Sequence, residues 1–427
     1  MVNLSVLPVL AAFPLHSIAA GIRRYDLSAA LAEYPLGGPD KPVSPLMLFN
    51  GKSPGPKLTA RKGETLEINF YNQLDQPTSI HWHGIRNLNE MDGVANVTQP
   101  MVEPGEQFTY RFPVRDAGTF WYHAHHRSFE QVARGLYGPL IVTDDEPQDN
   151  RRDILVMADD WRLDSDWRFD EASIGSLHDW SHSGRLGNWL TVNGQTRPEI
   201  PIPQTGLVRL RFVNAANARV LSFQLSRKAP MQIIALDGAP CIPFNVDTLR
   251  LGPAQRADVI VQAGPDLGSL YEVTAGDNFE AARFVSKREN ESVLGNMPTS
   301  PWYPYPDTKN AKLINIHLQG GAMGNLTSAI FEGAELPIRQ LALKKQKFWA
   351  FNGQVGGYEH LLSRLNIGDT AIIRVFNDTR WEHTMHLHGH HFWVKSKEFE
   401  QQTREVLRDT YLMAPGETAD LVFVADN

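Results

Sequence analysis

The sequence predicts an all-β protein built of three β-sandwich domains. The chain repeats itself three times, each copy joining an Asn-Gly pair, an alternating strand that ends in Asn, and a proline turn with a further strand. Alternating strands with turn signals at this spacing are the pattern of β-sandwiches. Helical periodicity is sparse, and 28 prolines and 33 glycines, many in turn-like contexts, tilt the reading the same way. A length of 427 residues suits three domains of roughly 140 residues each.

Copy one opens at Phe49-Asn50-Gly51, continues in the strand 66–72 ending at Asn72, and turns at Pro104 into a strand reaching Phe112. Copy two has Val192-Asn193-Gly194, the strand 208–214 ending at Asn214, and Pro253 leading to Val261. Copy three has Phe351-Asn352-Gly353, the strand 371–377 ending at Asn377, and Pro415 leading to Val424. The polar, turn-rich stretch 143–152 separates copies one and two, and the proline-rich stretch 296–310 links copies two and three as an extended, semi-rigid connector. The domains are therefore expected at 1–147, 148–305 and 306–427. Residues 1–22 carry no acid or base but are interrupted by Pro8, Pro14 and His16, too broken for a membrane span. No basic region precedes the apolar residues 4–12, as a signal peptide would require. This end reads as an extended arm or as the remnant of an export signal.

Composition narrows the function classes. Hydrophobic residues at 42% and charged residues at 21% are ordinary for a globular chain. The net charge of −7, from 41 basic and 48 acidic residues, argues against a nucleic-acid partner, which would need a basic face. Nothing in the sequence points to a membrane partner. The single cysteine, Cys241, excludes an internal disulfide framework and a cysteine-rich zinc module. Asn-x-Ser/Thr occurs at Asn3, Asn96, Asn290, Asn325 and Asn377. With no disulfide pair the protein reads as bacterial and exported, periplasmic or extracellular, so these asparagines would carry no glycan.

The histidines carry the chemistry. Ten of the 15 fall in three short windows: His81 and His83; His123, His125 and His126; and His383, His386, His388, His390 and His391. Each window contains His-x-His. On a strand, residues i and i+2 share a face, so each pair can present two imidazoles side by side. Imidazole is a good ligand for copper, zinc, nickel and iron.

The repeat tells which copies hold metal. Nine and eleven residues beyond Asn72 stand His81 and His83; beyond Asn377 stand His386 and His388; beyond Asn214 stand Phe223 and Leu225. Copy two keeps the strands without the ligands and is read as a structural spacer or wall. The same register extends further. Pro104 precedes His123 by nineteen residues, whereas nineteen residues beyond Pro415 is position 434, past Asn427. A second histidine pair is thus expected beyond the last residue of copy three. The strand 420–424 is expected at an uncovered edge, an aggregation hazard that natural proteins blunt, so the third domain reads as truncated, the alternative being a partner chain that completes the fold.

At His81-Trp82-His83-Gly84, Trp121-Tyr122-His123-Ala124-His125 and His383-Thr384-Met385-His386-Leu387-His388-Gly389, in that order, the chain resembles the multicopper oxidases, specifically three-domain laccase-like enzymes. The resemblance spans essentially the whole chain and its motifs are highly specific. It implies three cupredoxin-like Greek-key β-sandwiches, a blue type 1 copper, and a trinuclear cluster of one type 2 and two type 3 coppers, up to four copper ions in all. His81 and His386 match the type 2 ligands; His83, His123, His125 and His388 match type 3 ligands; His383 matches a type 1 ligand. The family's His-Cys-His motif is absent from these residues. Type 1 copper needs a trigonal His, His, Cys set, and Cys241 in copy two reads as a buried small hydrophobe instead. Six of eight cluster ligands and one of three strong type 1 ligands are present.

The family implies one-electron oxidation of a small aromatic reductant, a phenol or aromatic amine, at the type 1 copper, with the ring edge of His383 as the substrate contact. Dioxygen is reduced to water at the cluster. That reduction consumes protons, and Asp92 in Met91-Asp92-Gly93 matches the family's carboxylate near the cluster; the alternative is a turn residue before Gly93. His126, His390 and His391 read as structural neighbours of the ligands, and His16, His178, His182, His317 and His360 as incidental. Trp82 and Trp121 are expected to pack around the cluster. A metallo-oxidase acting on Cu(I) would want soft thioethers, and the ten methionines are scattered. A non-catalytic scaffold would be expected to have lost ligands, whereas all seven that this length allows are kept. Zinc hydrolysis needs only three ligands and an open position.

Overall fold

A computed structural model describes residues 21–144, 152–265, 267–274, 277–287, 294, 300–356, 361–395 and 405–427. The N-terminal arm with His16, His360, most of the 143–152 connector, and residues 296–299 of the 296–310 connector lie outside the described residues.

The triple repeat folds as a triple repeat. In copy one the strands Ser44–Phe49, Ile22–Tyr34, Thr65–Asn72 and Gln107–Pro113 lie side by side in that order. Copy two repeats the arrangement with Trp189–Val192, Asp153–Trp161, Leu207–Asn214 and Arg256–Gln262; copy three does so with Trp349–Phe351, Lys312–Gly320, Thr370–Asn377 and Thr418–Val424. In each copy the second strand runs parallel to the Asn-ending strand, which runs antiparallel to the strand after the proline turn. The alternation dictates the faces: Leu66, Ile68 and Phe70 are buried while their neighbours are more open.

Two polar devices recur. The Asn-Gly pairs have positive φ at both residues (51° and 65°, 51° and 75°, 51° and 73°), the geometry of a type I′ hairpin turn. The Asn that ends each strand is a buried corner. Asn72 Nδ2 donates to Gln76 O (2.9 Å) and Val102 O (2.8 Å), and Asn214 Nδ2 to Arg219 O (2.9 Å) and Leu251 O (2.8 Å). Asn377 Nδ2 donates to Trp381 O (2.8 Å) and Ala414 O (3.0 Å). Each thereby ties the loop entering the next strand to the chain ahead of the proline turn, which is why counting from Asn finds the histidine pairs of copies one and three.

The second sheets differ. In copy one Ile80–His83, Gly118–Ala124, Tyr137–Thr143 and Leu58–Arg61 form four strands, and copy two has five. In copy three, among the described residues, His383–His386 pairs only with Thr410–Met413. Ile80–His83 is buried throughout, whereas all four residues of His383–His386 are partly open.

One expectation is overturned. The strand containing 420–424 is not an edge: Thr418–Val424 lies between Thr370–Asn377 and Phe392–Lys395, with Trp393 opposite Val422. The register count could not see this, because Phe392–Lys395 comes from the long segment between the histidines and the proline turn.

The copies are welded together. One apolar cluster runs from Val208, Leu210 and Phe212 of copy two into Val375, Leu421 and Phe423 of copy three. Another joins Leu46, Trp121 and Tyr137 of copy one to Trp161 and Val213 of copy two. The described part of the proline-rich connector is pinned: Trp302 stacks on Phe120 at 6.0 Å, and Tyr303 donates to Asp116 at 2.7 Å. Cys241 is buried in the copy-two core, its thiol pushed up to about 12 by burial. No helix of the described residues is long and apolar enough to cross a membrane.

Candidate metal centre

The strand Ile80–His83 pairs with Gly118–Ala124 so that His81 stands opposite His123. Across the domain boundary, His383–His386 and the turn after it bring up His386 and His388. Six imidazoles meet there. His81 Nε2 lies 3.4 Å from His386 Nε2, and His83 Nδ1 lies 3.5 Å from His123 Nε2. The ring centres of His81 and His388 are 4.0 Å apart, those of His83 and His386 3.8 Å, and those of His125 and His388 5.0 Å. His81, His83 and His123 form one set with ligating atoms within 4.8 Å of one another; His81, His386 and His388 form a second.

The outer nitrogens decide which inner ones are free. His81 Nδ1 faces Asp92 O at 2.8 Å, His386 Nδ1 faces Asp409 O at 2.8 Å, His123 Nδ1 faces Ala124 O at 3.0 Å, and His388 Nδ1 faces Asp92 Oδ2 at 2.7 Å. A carbonyl or carboxylate can only accept, so these rings carry the proton on Nδ1 and turn a bare Nε2 inward. His83 is the reverse: its Nε2 faces Thr410 Oγ1 at 2.8 Å and its Nδ1 points in. Burial, reinforced by neighbouring rings, holds His83, His123 and His386 well below the ordinary imidazole range and takes His125 to about 3. Neutral rings with bare nitrogens facing each other have no hydrogen bond to make. His125 Nδ1 is buried with no partner. These nitrogens fit metal ions, and imidazole suits copper.

His383 stands apart. It shares a strand with His386 at a spacing of three, which sends it to the other face. Its Nε2 lies 3.1 Å from Thr379 Oγ1, and Trp349 meets its ring edge-on at 4.8 Å. Burial takes it to about 4. It lines a cleft of about 850 Å³ between copies two and three, with Trp180, Phe348, Trp349 and Trp381.

Asp92 is buried against His81 and His388. Burial pushes its carboxyl up, but the two imidazoles outweigh that and hold it below the usual carboxylate range. His391 bonds Gly84 O at 2.8 Å and His390 lies 3.2 Å from His388 O, both supporting roles. Trp82 is buried among Tyr110, Phe112 and Tyr122, and Trp121 packs on His123 at 4.4 Å. The sequence reading missed Asp409, Thr410 and Arg256, which back the cluster from behind. Opposite charges in the buried run Leu407-Arg408-Asp409-Thr410-Tyr411 were the available signal.

Two cupredoxin-like folds closing directly on a histidine cluster, with a third packed against both, are the architecture of a copper oxidase. Models of the multicopper oxidases match residues 35–147, 153–292 and 334–427. A multicopper oxidase of Mycobacterium tuberculosis is 28% identical over 93% of this chain and 80% of its own length. A laccase of Botryotinia fuckeliana is 34% identical over 61% of this chain, which spans 48% of that enzyme's length. A crystal structure of a multicopper oxidase from Pseudomonas thermotolerans superposes with a TM-score of 0.80, at 31% identity over 96% of this chain and 94% of that one. The chain belongs to the multicopper oxidase family. It is a laccase-like, copper-dependent oxidoreductase that oxidises reducing substrates with dioxygen as acceptor.

Proposed function

We infer that His81, His83, His123, His125, His386 and His388 are the copper ligands of the oxygen-reducing cluster, and that His383 serves the separate copper at which electrons arrive. The observation that carries this is the meeting of six imidazoles from two domains, five of them, His81, His83, His123, His386 and His388, with a bare nitrogen inward. Copper, when bound, supplies the one-electron chemistry that links reductant to dioxygen. The chain's own residues fix the tautomers, keep the rings neutral and exclude water around Trp82 and Trp121.

Asp92 is the proton-handling carboxylate of the site. It is buried, hydrogen-bonded to His388, and on the same loop as the carbonyl that holds His81. The reductant is a small phenol or aromatic amine. The cleft at His383 offers flat aromatic walls, and no methionine occurs among the described residues that line it. That favours an aromatic donor over Cu(I), which would want thioethers. The protein works outside the cytoplasm, in the periplasm or beyond the cell.

The test is reconstitution with copper. Oxygen uptake driven by a phenol is measured together with hydrogen peroxide, copper stoichiometry and the visible spectrum. Four phenols consumed per dioxygen with no peroxide supports the reading. Copper bound with no blue band would mean that no thiolate reaches the His383 site and would remove the electron-accepting role given to it. Faster turnover of Cu(I) than of any phenol would overturn the substrate class.

A further inference from the structure

Copy two gives the cluster no histidine, yet it grips the cluster from behind. Arg256 begins the Arg256–Gln262 strand and is wholly buried. Its Nη1 and Nη2 bond Asp409 Oδ1 and Oδ2 at 2.7 and 2.6 Å. Nε donates to Thr119 O of copy one at 3.1 Å, and Nη2 also donates to Asp237 O at 2.9 Å. One guanidinium therefore touches all three copies.

From Asp409 the contacts run to two rings of the cluster. Thr410 Oγ1 lies 2.8 Å from Asp409 Oδ1 and 2.8 Å from His83 Nε2. The hydroxyl donates its one proton to the carboxylate and accepts from the imidazole. Asp409 Oδ1 is itself 3.3 Å from His83 Nε2, and Asp409 O holds His386 Nδ1. His83 is the ring whose tautomer runs opposite to those of His81, His123, His386 and His388, and this acceptor pair is what faces its outer nitrogen.

A buried ion pair adds little net stability over an apolar pair of the same volume. What the planar Arg–carboxylate fork does supply is direction. We propose that Arg256 and Asp409 form a positioning pair through which copy two sets the tautomers of His83 and His386, although neither residue is a ligand. This rests on the copper reading above. The pair works through Thr410 on His83, keeping Nε2 protonated and Nδ1 inward, and through the Asp409 carbonyl on His386, keeping Nε2 inward. Copy two is then a working part of the centre and not only its wall.

The test uses the full chain labelled with ¹⁵N-histidine, free of copper, with the ring nitrogen shifts of His83 as the first readout. Nε2–H is expected in the unaltered protein. Thr410→Val keeps the volume and the ion pair but removes the nearer acceptor, leaving only Asp409 Oδ1 at 3.3 Å. It should shift His83 towards Nδ1–H and weaken copper binding about 10–100-fold, with a lower melting temperature from the two lost buried hydrogen bonds. Arg408→Met removes a neighbouring guanidinium that bonds Asp237 at 2.8 Å, and the Asp237 carboxylate reaches the device only through the backbone N–H groups of Arg256 and Thr410 and a 3.7 Å approach to Arg256 Nη1. It should lower the melting temperature and leave the His83 tautomer alone. The proposal is overturned if His83 is Nδ1–H in the unaltered protein, or if Thr410→Val moves neither tautomer nor affinity. A shifted tautomer with unchanged copper affinity supports the positioning pair and counts instead against His83 as a ligand.

Discussion

Asp92 of copy one and His388 of copy three stand 296 residues apart in the chain and share a 2.7 Å hydrogen bond. The carboxylate accepts from Nδ1, so the ring presents Nε2 to the cluster. The backbone carbonyl of the same residue does this for His81. A single residue thus orients one imidazole from each side of the domain boundary.

Asp92→Ala should therefore weaken copper binding about 10–100-fold, the usual cost of losing a carboxylate behind a metal-bound histidine. Competition with a copper chelator measures it. Asp92→Asn keeps an acceptor for His388 but cannot take up and pass on a proton as a carboxylate can, so it should retain most of the affinity and lose turnover. If Asp92→Asn keeps full oxygen uptake, Asp92 is only an orienting group.

Acid should unfold the copper-free chain progressively. His383 and His125 are depressed to about 4 and about 3, and His83, His123 and His386 lie well below the ordinary range. Below about pH 6.5 the unfolded chain protonates these rings, while the folded chain resists until near the depressed values. The unfolded state then holds more protons, so stability rises with pH across this window and is lost as pH falls through it. The melting temperature should drop steadily from about pH 7 to about pH 4.5, and a flat profile would contradict the burial of these rings.

Gly84 closes the first histidine motif for a steric reason. Its φ is +86°, and a Cβ there would lie 2.4 Å from Arg256 Nη2 and 2.5 Å from Asp409 Oδ2. Gly84→Ala combines left-handed strain with a wedge into a buried ion pair and should cost at least about 3 kcal/mol. Denaturant unfolding checks this; a loss under about 1 kcal/mol would mean the pair can shift aside.

The Asn corners are testable in the same way. Asn72→Ala takes the side-chain donor from Gln76 O and Val102 O, the latter keeping Thr78 N, and the acceptor from Leu74 N, and should destabilise copy one by about 2 kcal/mol. The Ile80–His83 strand follows directly from this corner, so copper affinity should fall too. Thermal unfolding with and without copper separates the two effects.

Much of this was legible beforehand because the signals were local. Asn-Gly demands positive φ and received it three times; an Asn that closes a corner by its own side chain fixes the distance to the next strand; His-x-His on a strand puts two rings on one face. The position of Thr418–Val424 was not legible, because the partner Phe392–Lys395 sits in a segment with no counterpart in the count. Nor was the Arg256–Asp409 contact, since two charges 153 residues apart carry no mark of belonging to each other.

The sequence by itself determined the three sandwiches, the two copies that carry histidines and the metal chemistry those histidines suit, since each depends on spacing within one strand or turn. Only the tertiary structure decided which nitrogen of each ring turns inward, that Asp92 serves two domains at once, and that the copy without ligands holds the other two in register. Those outcomes depend on acceptors brought from distant strands into a space closed to water, where a misplaced proton or an unpaired charge has no solvent to turn to.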